Sequence, residues 1–491
     1  MASPQGIATD DVGALGRVAA PPPQRGRVAR PIAGLDLAQV AAWLAIGFLI
    51  AVTATTAVFA SSGPSILVPR SNAAFPGWMS GPLHGLFGNL PETRSTLEIF
   101  SSVALIGMFC AYGVVLASIR AVSMRALWVV VGVLAVLLVL TPPLQLTDVF
   151  DYLGYARLGA LHDLNPYTHV LAAMSRDPVY LFSTWHNLHS PYGELWTVLS
   201  YPLGWLPLSV ASWTLKVATV AAGVALLWLV AVCARRLGRD PRFPVAFIGL
   251  NPIFLAYALG GFHNDLFMLV ASTAAIALFL GRRDRAAGAL LIVAVAIKFM
   301  ALLILPFMIL AAWRDGRRLR VLTGALVAAV PLAALSLWLF GPTLPNVAQQ
   351  TKILTPFSIP NLLGLAIGVG GGTHAILRDM TVAVALVTLY QLARYERGPR
   401  RDWLAGAGWA TLVLIASASW LVPWYVIWLL PLAALGRSRA LRGAALALTL
   451  FLILTLGPGT TYLLDIHHIS PLHTPAGRAS KALEHRLVGG G

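Results

Sequence analysis

Long apolar stretches separated by short polar segments run through the chain from residue 37 to residue 464. A helix needs about twenty mostly apolar residues to cross the hydrocarbon core of a bilayer. The pattern therefore predicts an all-α integral membrane protein. The stretches that meet or approach this length are Leu37–Ala60, Glu98–Ile119, Ala126–Leu146, Leu208–Ala234, Phe243–Gly260, Asp265–Leu280, Val321–Phe340, Ile376–Leu392, Trp403–Leu421 and Gly443–Leu464.

Two parts of this pattern predict broken helices. Residues 286–313 suffice for one span, yet both ends are strongly basic, so two short helices meeting near Lys298 are expected. Residues 403–436 fit one full and one short helix that meet at the Pro-Trp-Tyr sequence of residues 423–425. Broken helices occur at membrane depth where they line a cavity or pack against protein. The two hairpins indicate a site, and they raise the predicted count to about thirteen transmembrane helices.

The basic residues predict the orientation. The formal net charge is +16, but most Lys and Arg stand in short runs between apolar stretches, as in the cytoplasmic loops of membrane proteins. The charge therefore indicates membrane orientation rather than nucleic-acid binding, with the N-terminus inside and the alternate loops outside. The predicted cytoplasmic runs are residues 120–125, 235–242, 282–285, 314–320, 394–401 and 437–442.

Composition agrees with a chain solvated mainly by lipid. Hydrophobic residues make up 58% and charged residues 11%, whereas soluble domains carry about a quarter charged residues. The two cysteines, both in apolar stretches, form neither a disulfide framework nor a zinc-binding spacing. Residues 1–36, rich in Pro and Arg, are expected to be a disordered cytoplasmic tail. Residues 37–464 are expected to form the polytopic domain and residues 465–491 an extracytoplasmic tail.

The largest predicted outer loop, residues 147–207, carries two carboxylates beside the third span. Asp148 and Asp151 are three apart and share a face if a helix begins here. A partly buried carboxylate has a raised pKa and can take a proton from a sugar hydroxyl. Alternatively, either residue caps a helix. A juxtamembrane or re-entrant helix is expected within Tyr192–Pro207.

The same loop concentrates aromatic and amide residues. The candidates for sugar contacts come after Asp148 in the chain: Tyr152, Asn165-Pro166-Tyr167 and Ser190-Pro191-Tyr192-Gly193-Glu194. Interfacial Tyr residues are also common as membrane anchors, and Asn-Pro is common in turns. Their concentration beside two carboxylates favours a carbohydrate-binding surface.

Two more polar groups interrupt apolar sequence. His263-Asn264-Asp265 stand after Gly260-Gly261-Phe262 at a predicted outer junction with hardly any loop. Polar residues at such a position are costly unless they face a cavity, although Asp265 could cap its own helix. Lys298 either extends its ammonium to the interface or binds a phosphate as a fixed charge.

Two other interpretations remain open at this stage. Loop and tail histidines could bind a metal, although they lack a helical His-x3-His or HExxH spacing; they are His162, His169, His186, His189, His467 and His468. A transporter would place its ionisable residues near the bilayer midplane, often in repeated halves. Asp148, Asp265 and Lys298 are instead all predicted near the outer face, which favours an enzyme.

At these residues the chain resembles the actinobacterial α-1,6-mannosyltransferases that use polyprenyl-phosphate mannose, members of the GT-C superfamily of membrane glycosyltransferases. The resemblance spans residues 147–431 and departs from the family pattern at Asp151 and Glu194. The motifs that carry it are Asp148-Val-Phe-Asp151-Tyr152, Asn165-Pro166-Tyr167, Ser190-Pro191-Tyr192-Gly193-Glu194-Leu195-Trp196, His263-Asn264-Asp265, Ala296-Ile297-Lys298, Leu305-Pro306 and Pro423-Trp424-Tyr425.

The resemblance implies a GT-C fold in a bacterial plasma membrane, with an active site facing outward. Asp148 would be the general base on the acceptor hydroxyl, Lys298 would hold the donor phosphate, and inversion would give an α-1,6 linkage to a mannan or lipoglycan. No metal or cofactor is implied. An arabinofuranosyl- or glucosyltransferase and a flippase for a lipid-linked sugar remain alternatives. The implied substrate-binding residues are Asp151, Tyr152, Asn165, Tyr167, Tyr192, Glu194, His263, Asn264, Asp265, Lys298, Trp424 and Tyr425.

Overall fold

A computed structural model describes residues 37–69, 75–88, 90, 93–144, 148–345, 347–397 and 402–489. The predicted N-terminal tail and Thr147 lie outside these residues. Every regular element in the described ranges is helical, as the apolar pattern predicts. The α-helices are α1 (Leu37–Ser61), α2 (Gly77–Ser80), α3 (Arg94–Ala117), α4 (Met124–Leu140), α5 (Asp148–His162), α6 (Glu194–Gly204), α7 (Leu208–Arg236), α8 (Arg242–Gly249), α9 (Asp265–Leu280), α10 (Asp284–Ile297), α11 (Ile304–Trp313), α12 (Arg318–Phe340), α13 (Ile359–Ala366), α14 (His374–Arg397), α15 (Trp403–Ala416), α16 (Val426–Leu435), α17 (Arg439–Leu456), α18 (Pro458–Ile466) and α19 (Pro475–Val488).

Six helices of the described part, α1, α3, α7, α12, α14 and α17, are long and apolar enough to cross a membrane. Shorter apolar helices occupy Met124–Leu140, Asp265–Leu280, Phe299–Trp313, Trp403–Ala416 and Pro423–Leu435. The membrane character of the chain is thereby confirmed, and the count of about thirteen spans stays a prediction. Only 17% of the apolar window of α12 and 6% of that of α14 is buried, so most of their apolar surface is left for lipid.

The first broken hairpin is confirmed. Helix α10 ends at Ile297, and Lys298 has extended backbone angles before a 3₁₀ turn, Phe299–Leu303, leads into α11. The second hairpin differs from the prediction, because both of its helices are short. After α15 ends at Ala416, residues 417–422 run outside any helix to the 3₁₀ turn Pro423–Tyr425. The Ser419 carbonyl and the Leu421 N–H bond instead to Thr355, so these two backbone groups are satisfied without a longer helix.

Three predicted spans are interrupted by proline. Helix α4 ends at Leu140, just before Pro142 and Pro143, and α17 and α18 are separated at Gly457-Pro458. Helix α8 ends before Asn251-Pro252, and a π-helical turn follows at Phe254–Leu259. Proline has no N–H for the helix and disfavours helical geometry in the residue before it. These helices therefore end or break at the prolines rather than continuing as single long spans.

The last helix packs on the large loop. The carbonyl of Leu487 in α19 accepts from the Asn187 N–H at 2.9 Å, and Ser480 accepts from the Leu354 N–H. Leu487 also packs with Leu188 and Ile353 in a small apolar cluster. The loop and α19 therefore lie at the same end of the bundle, where the sequence predicts both.

Candidate active site

Asp148 lies at the first residue of α5, and its side chain is 20% exposed on the wall of a cavity of about 1070 Å³. Its Oδ2 is 3.6 Å from Nδ1 of His263, beyond the range of a normal hydrogen bond. Burial raises the pKa of Asp148 to about 6, Lys298 opposes the shift, and Asp265 adds to it. Burial lowers the pKa of His263 to about 3, so the imidazole is neutral and does not neutralise the carboxylate.

Asp151, one turn along α5, is fully buried and holds the loop. Its Oδ1 accepts from the backbone N–H groups of Thr184 at 3.2 Å and Trp185 at 3.3 Å. The two carboxylates that the sequence places on one face thus differ in their surroundings. Asp148 faces the cavity and has no hydrogen-bond donor within normal range among the described residues. Asp151 instead accepts hydrogen bonds from the backbone of the large loop.

The junction before α9 is strained and closely packed. Phe262 has a φ of 59°, a value that bulky residues rarely adopt and that marks functional sites. His263 stacks on Trp424 with ring centroids 3.9 Å apart. His263, Asn264 and Asp265 are all fully buried, and the Tyr152 hydroxyl lies 3.4 Å from the Asn264 side-chain oxygen.

Lys298 and Asp265 form an ion pair at the first broken hairpin. Lys298 Nζ donates to Asp265 Oδ1 at 2.7 Å, and the indole N–H of Trp428 donates to the same oxygen. Asp265 is fully buried, whereas the Lys298 side chain is 21% exposed and lines the cavity. An ammonium has three N–H donors, and within the described ranges the pair is the only side-chain hydrogen bond of Lys298. The remaining donors are available to a ligand.

The cavity wall has a polar part and an aliphatic part. Aliphatic side chains come from α10, α12 and α14, including Leu332, Ala333 and Leu377. Because α12 and α14 are the least buried of the long helices, this part of the wall faces the lipid-exposed side of the bundle. The polar part contains Asp148, Lys298 and aromatic rings.

Eight of the predicted site residues line this cavity: Asp148, Asp151, Tyr152, Tyr192, Glu194, Lys298, Trp424 and Tyr425. His263, Asn264 and Asp265 lie directly behind the wall, in contact with Asp148, Tyr152 and Lys298 as described above. Asn165 and Tyr167 lie further away and brace the wall. The Asn165 amide donates to the Phe340 carbonyl at 2.8 Å, and the Tyr167 hydroxyl donates to the Tyr192 carbonyl at 3.0 Å.

The sequence interpretation missed a second lysine. Lys216 in α7 is fully buried, and its Nζ donates to the carbonyls of Thr141 and Pro142 at the end of α4. The same ammonium lies 4.3 Å from the ring centroid of Phe262, within cation–π distance. Lys216 thus joins the end of α4 to the junction before His263. Lys216 stands in apolar sequence, the same signal that made Lys298 a candidate, and this signal could have identified it.

Two histidines of the large loop, His162 and His186, have structural contacts. His162 Nε2 is 3.1 Å from Asp177 Oδ2, and Asp177 also accepts from Arg157 at 2.8 Å. His186 stacks on Tyr180 with ring centroids 3.7 Å apart. No group of three or more potential metal ligands occurs in the part of the chain that the structure describes. The expectation of metal-independent chemistry stays a prediction.

Gly193 allows the loop to approach Lys298. Its N–H donates to the Ile297 carbonyl at 3.3 Å, and a Cβ here would lie 2.2 Å from the Ala296 carbonyl oxygen. A Gly193→Ala variant should therefore displace the end of α10, and we expect transferase kcat/KM to fall about 100-fold, because small misplacements of catalytic groups have such effects. Gly132→Ala, where nothing lies within 4 Å, is the control and should retain its rate. An unchanged rate in the Gly193 variant would contradict this role.

Two family models match the chain. Residues 38–314 match the model described as alpha-(1->6)-mannopyranosyltransferase, N-terminal domain, and residues 358–471 match the MptB C-terminal domain. No solved structure matches.

Curated relatives agree with these models. Alpha-(1->6)-mannopyranosyltransferase A of Mycobacterium tuberculosis is 27% identical over 365 residues, which are 65% of this chain and 67% of the relative. The protein of the same name from Corynebacterium glutamicum is 24% identical over 332 residues, 59% and 66% of the two chains. Alpha-(1->6)-mannopyranosyltransferase B of that organism is 24% identical over 349 residues, 60% and 56%. The matched segments thus span about two thirds or less of these relatives' lengths.

Proposed function

The chain belongs to the alpha-(1->6)-mannopyranosyltransferase family, whose model matches residues 38–314, and from this premise we propose that it is a membrane mannosyltransferase with a lipid-linked donor. In this proposal, mannose passes from a polyprenyl-phosphate carrier to a mannan or lipoglycan acceptor and forms an α-1,6 linkage. The names of the relatives support mannosyl transfer. Donor, acceptor and stereochemistry belong to the proposal.

The observation that carries the proposal is the make-up of one cavity wall. A carboxylate with a raised pKa, Asp148, and an ammonium with free donors, Lys298, line the same space as the aliphatic faces of α12 and α14. A lipid-linked donor combines an apolar chain with a phosphate. The aliphatic wall can contact the chain, and the Lys298 ammonium can bind the phosphate. A general base must have a pKa near the working pH, and about 6 meets this requirement.

The reaction follows from these two groups. The Asp148 carboxylate takes the proton of the acceptor 6-hydroxyl as its oxygen forms the new bond to C1 of mannose. The bond between C1 and the phosphate oxygen breaks on the opposite face, so a β-linked donor gives an α-linked product. The polyprenyl phosphate leaves with an added negative charge, which the Lys298 ammonium stabilises.

Orientation completes the proposal. The basic runs between spans favour a cytoplasmic N-terminus, and with it a site and a C-terminal tail on the extracytoplasmic side of the plasma membrane. Residues 37–464 then act as one polytopic catalytic domain, and residues 465–491 as an outer tail. The packing of α19 on the large loop is consistent with this arrangement.

The test is transfer by the purified protein in lipid nanodiscs. Polyprenyl-phosphate mannose and an α-1,6-mannan oligosaccharide should give a longer product with a new α-1,6 linkage by NMR, and a metal chelator should not change the rate. Polyprenyl-phosphate glucose and arabinose should react slowly, and nucleotide-linked mannose should not react. Preference for another sugar, or movement of the lipid-linked sugar between leaflets without transfer, would contradict the proposal.

A further inference from the structure

Two indole rings form one region of the cavity wall. Trp185 comes from the large loop and Trp420 from the irregular segment after α15, and their ring centroids are 5.0 Å apart with a tilt of 56°. Both rings are only partly buried and both line the cavity. Neither indole N–H has a hydrogen-bond partner within the ranges that the structure describes. Large aromatic faces with free N–H groups therefore remain available to a ligand.

Trp185 is connected directly to the catalytic turn. Its backbone N–H donates to Asp151 Oδ1 at 3.3 Å, and Asp151 lies in the first turn of α5 together with Asp148. The backbone of Trp185 is therefore anchored to the first turn of α5, and this anchor does not depend on the indole ring.

Trp420 is fixed on both sides by backbone contacts. The Ser419 carbonyl accepts from the Thr355 N–H at 3.0 Å, the Ser419 hydroxyl donates to the Thr351 carbonyl at 2.6 Å, and the Leu421 N–H donates to the Thr355 hydroxyl. Apolar side chains of α19, including Leu483, pack with both indoles in the Leu188 cluster. The rings are thus preorganised, which reduces the entropy lost when a ligand binds.

A polar side chain stands beside the ring pair. Gln350 lines the cavity one residue before Thr351, which contacts Ser419. Its amide makes no hydrogen bond to any described residue, although an amide can donate and accept several. Ser417 lines the same cavity. The Ser417 hydroxyl donates to the Leu414 carbonyl at 2.8 Å, and its oxygen can still accept a hydrogen bond. An aromatic surface bordered by the Gln350 amide and this hydroxyl oxygen suits a ligand with one apolar face and a polar edge.

Resting on the proposed mannosyl transfer, we infer that Trp185 and Trp420 bind a pyranose unit of the acceptor glycan by stacking, with Gln350 at its hydroxyl edge. A pyranose presents polarised C–H groups on one face, and these are attracted to the negative face of an aromatic ring. The lipid chain of the donor fits the aliphatic part of the wall instead. The mannose unit that stacks on the two indoles is a different unit of the acceptor from the one whose hydroxyl reacts.

The test compares acceptors of different length. In Trp420→Ala and Trp185→Ala, KM for mannan oligosaccharides of four or more units should rise about tenfold, while KM for the donor and for a single mannoside stays within about twofold. Trp420→Phe should restore most of the affinity. Trp228→Ala, at a lipid-facing ring that is 53% exposed on α7, is the matched control and should match the wild type.

A second measurement tests this inference independently of the proposed transfer reaction. It also includes the conservative variant Trp420→Phe, in case a Trp→Ala variant does not fold. Saturation-transfer NMR of mannan oligosaccharides with the wild type, Trp420→Phe, Trp420→Ala and Gln350→Ala, without donor, reports binding whether or not transfer occurs. Retained binding in the wild type and weaker binding in Gln350→Ala would support the inference even if no transfer were found. Equal binding in all variants, or an equal KM increase for long and short acceptors, would overturn it.

Discussion

An Asp148→Asn variant should transfer mannose more slowly than the wild type by a factor of roughly 10² to 10⁴, the usual contribution of a general base. The amide has nearly the same shape but cannot accept the proton of the acceptor hydroxyl. The measurement is single-turnover transfer from polyprenyl-phosphate mannose, together with donor binding and thermal stability. Both of the latter should stay near the wild-type values.

The wild-type rate should also depend on pH through this carboxyl group. Burial raises the pKa of Asp148 to about 6, and the base acts only when it is deprotonated. The rate should therefore be constant well above pH 6 and fall about tenfold per pH unit below it. In the variant this dependence should disappear.

The matched control is Asp379→Asn, an equally isosteric change at a side chain that is 61% exposed and that pairs, among the residues described by the structure, with Arg378 alone. Surface pairs of this kind contribute little, so its rate and pH profile should equal those of the wild type. A near-normal turnover in Asp148→Asn, or a fall in rate of equal size in the control, would show that Asp148 is not the base.

Lys298→Met should raise KM for the donor by roughly 10- to 100-fold, because a hydrogen bond to a charged group contributes about 1.5–3 kcal/mol. The same change leaves the Asp265 carboxylate buried without its partner, which costs stability. A single variant therefore cannot separate a phosphate contact from a structural role. The measurement is donor KM and thermal stability for Lys298→Met, Asp265→Asn and the double variant.

The double variant separates the two roles of Lys298. If the ammonium contacts the donor phosphate, donor KM stays high in the double variant although stability recovers, because the unpaired carboxylate is gone. If Lys298 serves only Asp265, both quantities recover together. Lys298→Arg, which keeps the charge, should lose less donor affinity than Lys298→Met.

The sequence allowed the elements of the site to be predicted because they follow local rules. The length of the apolar stretch at residues 286–313 and its basic flanks predicted two helices meeting near Lys298, and α9 has the predicted bounds Asp265–Leu280. Asp148 in the first turn of α5 follows from the same kind of local pattern. Such features depend on neighbours in the chain.

Pairings between distant segments could not be predicted in this way. The ion pair of Lys298 with Asp265 and the bond from Trp428 depend on how α9, α10 and α16 pack. Trp428 lies one turn after Trp424, so helical spacing could have suggested it. Asn165 and Tyr167 have the residue types of a sugar site, yet their partners are carbonyls of α12 and the loop.

The contact between α19 and the large loop has a consequence for biogenesis. The Asn187 side chain bonds to the Arg486 carbonyl, 299 positions later, so the loop leaves the ribosome long before the helix that supports it. The spans between the loop and α19 are therefore synthesised before Leu487 can pack against Leu188. This side of the loop can therefore reach its final packing only after the segments between residues 187 and 486 have been synthesised.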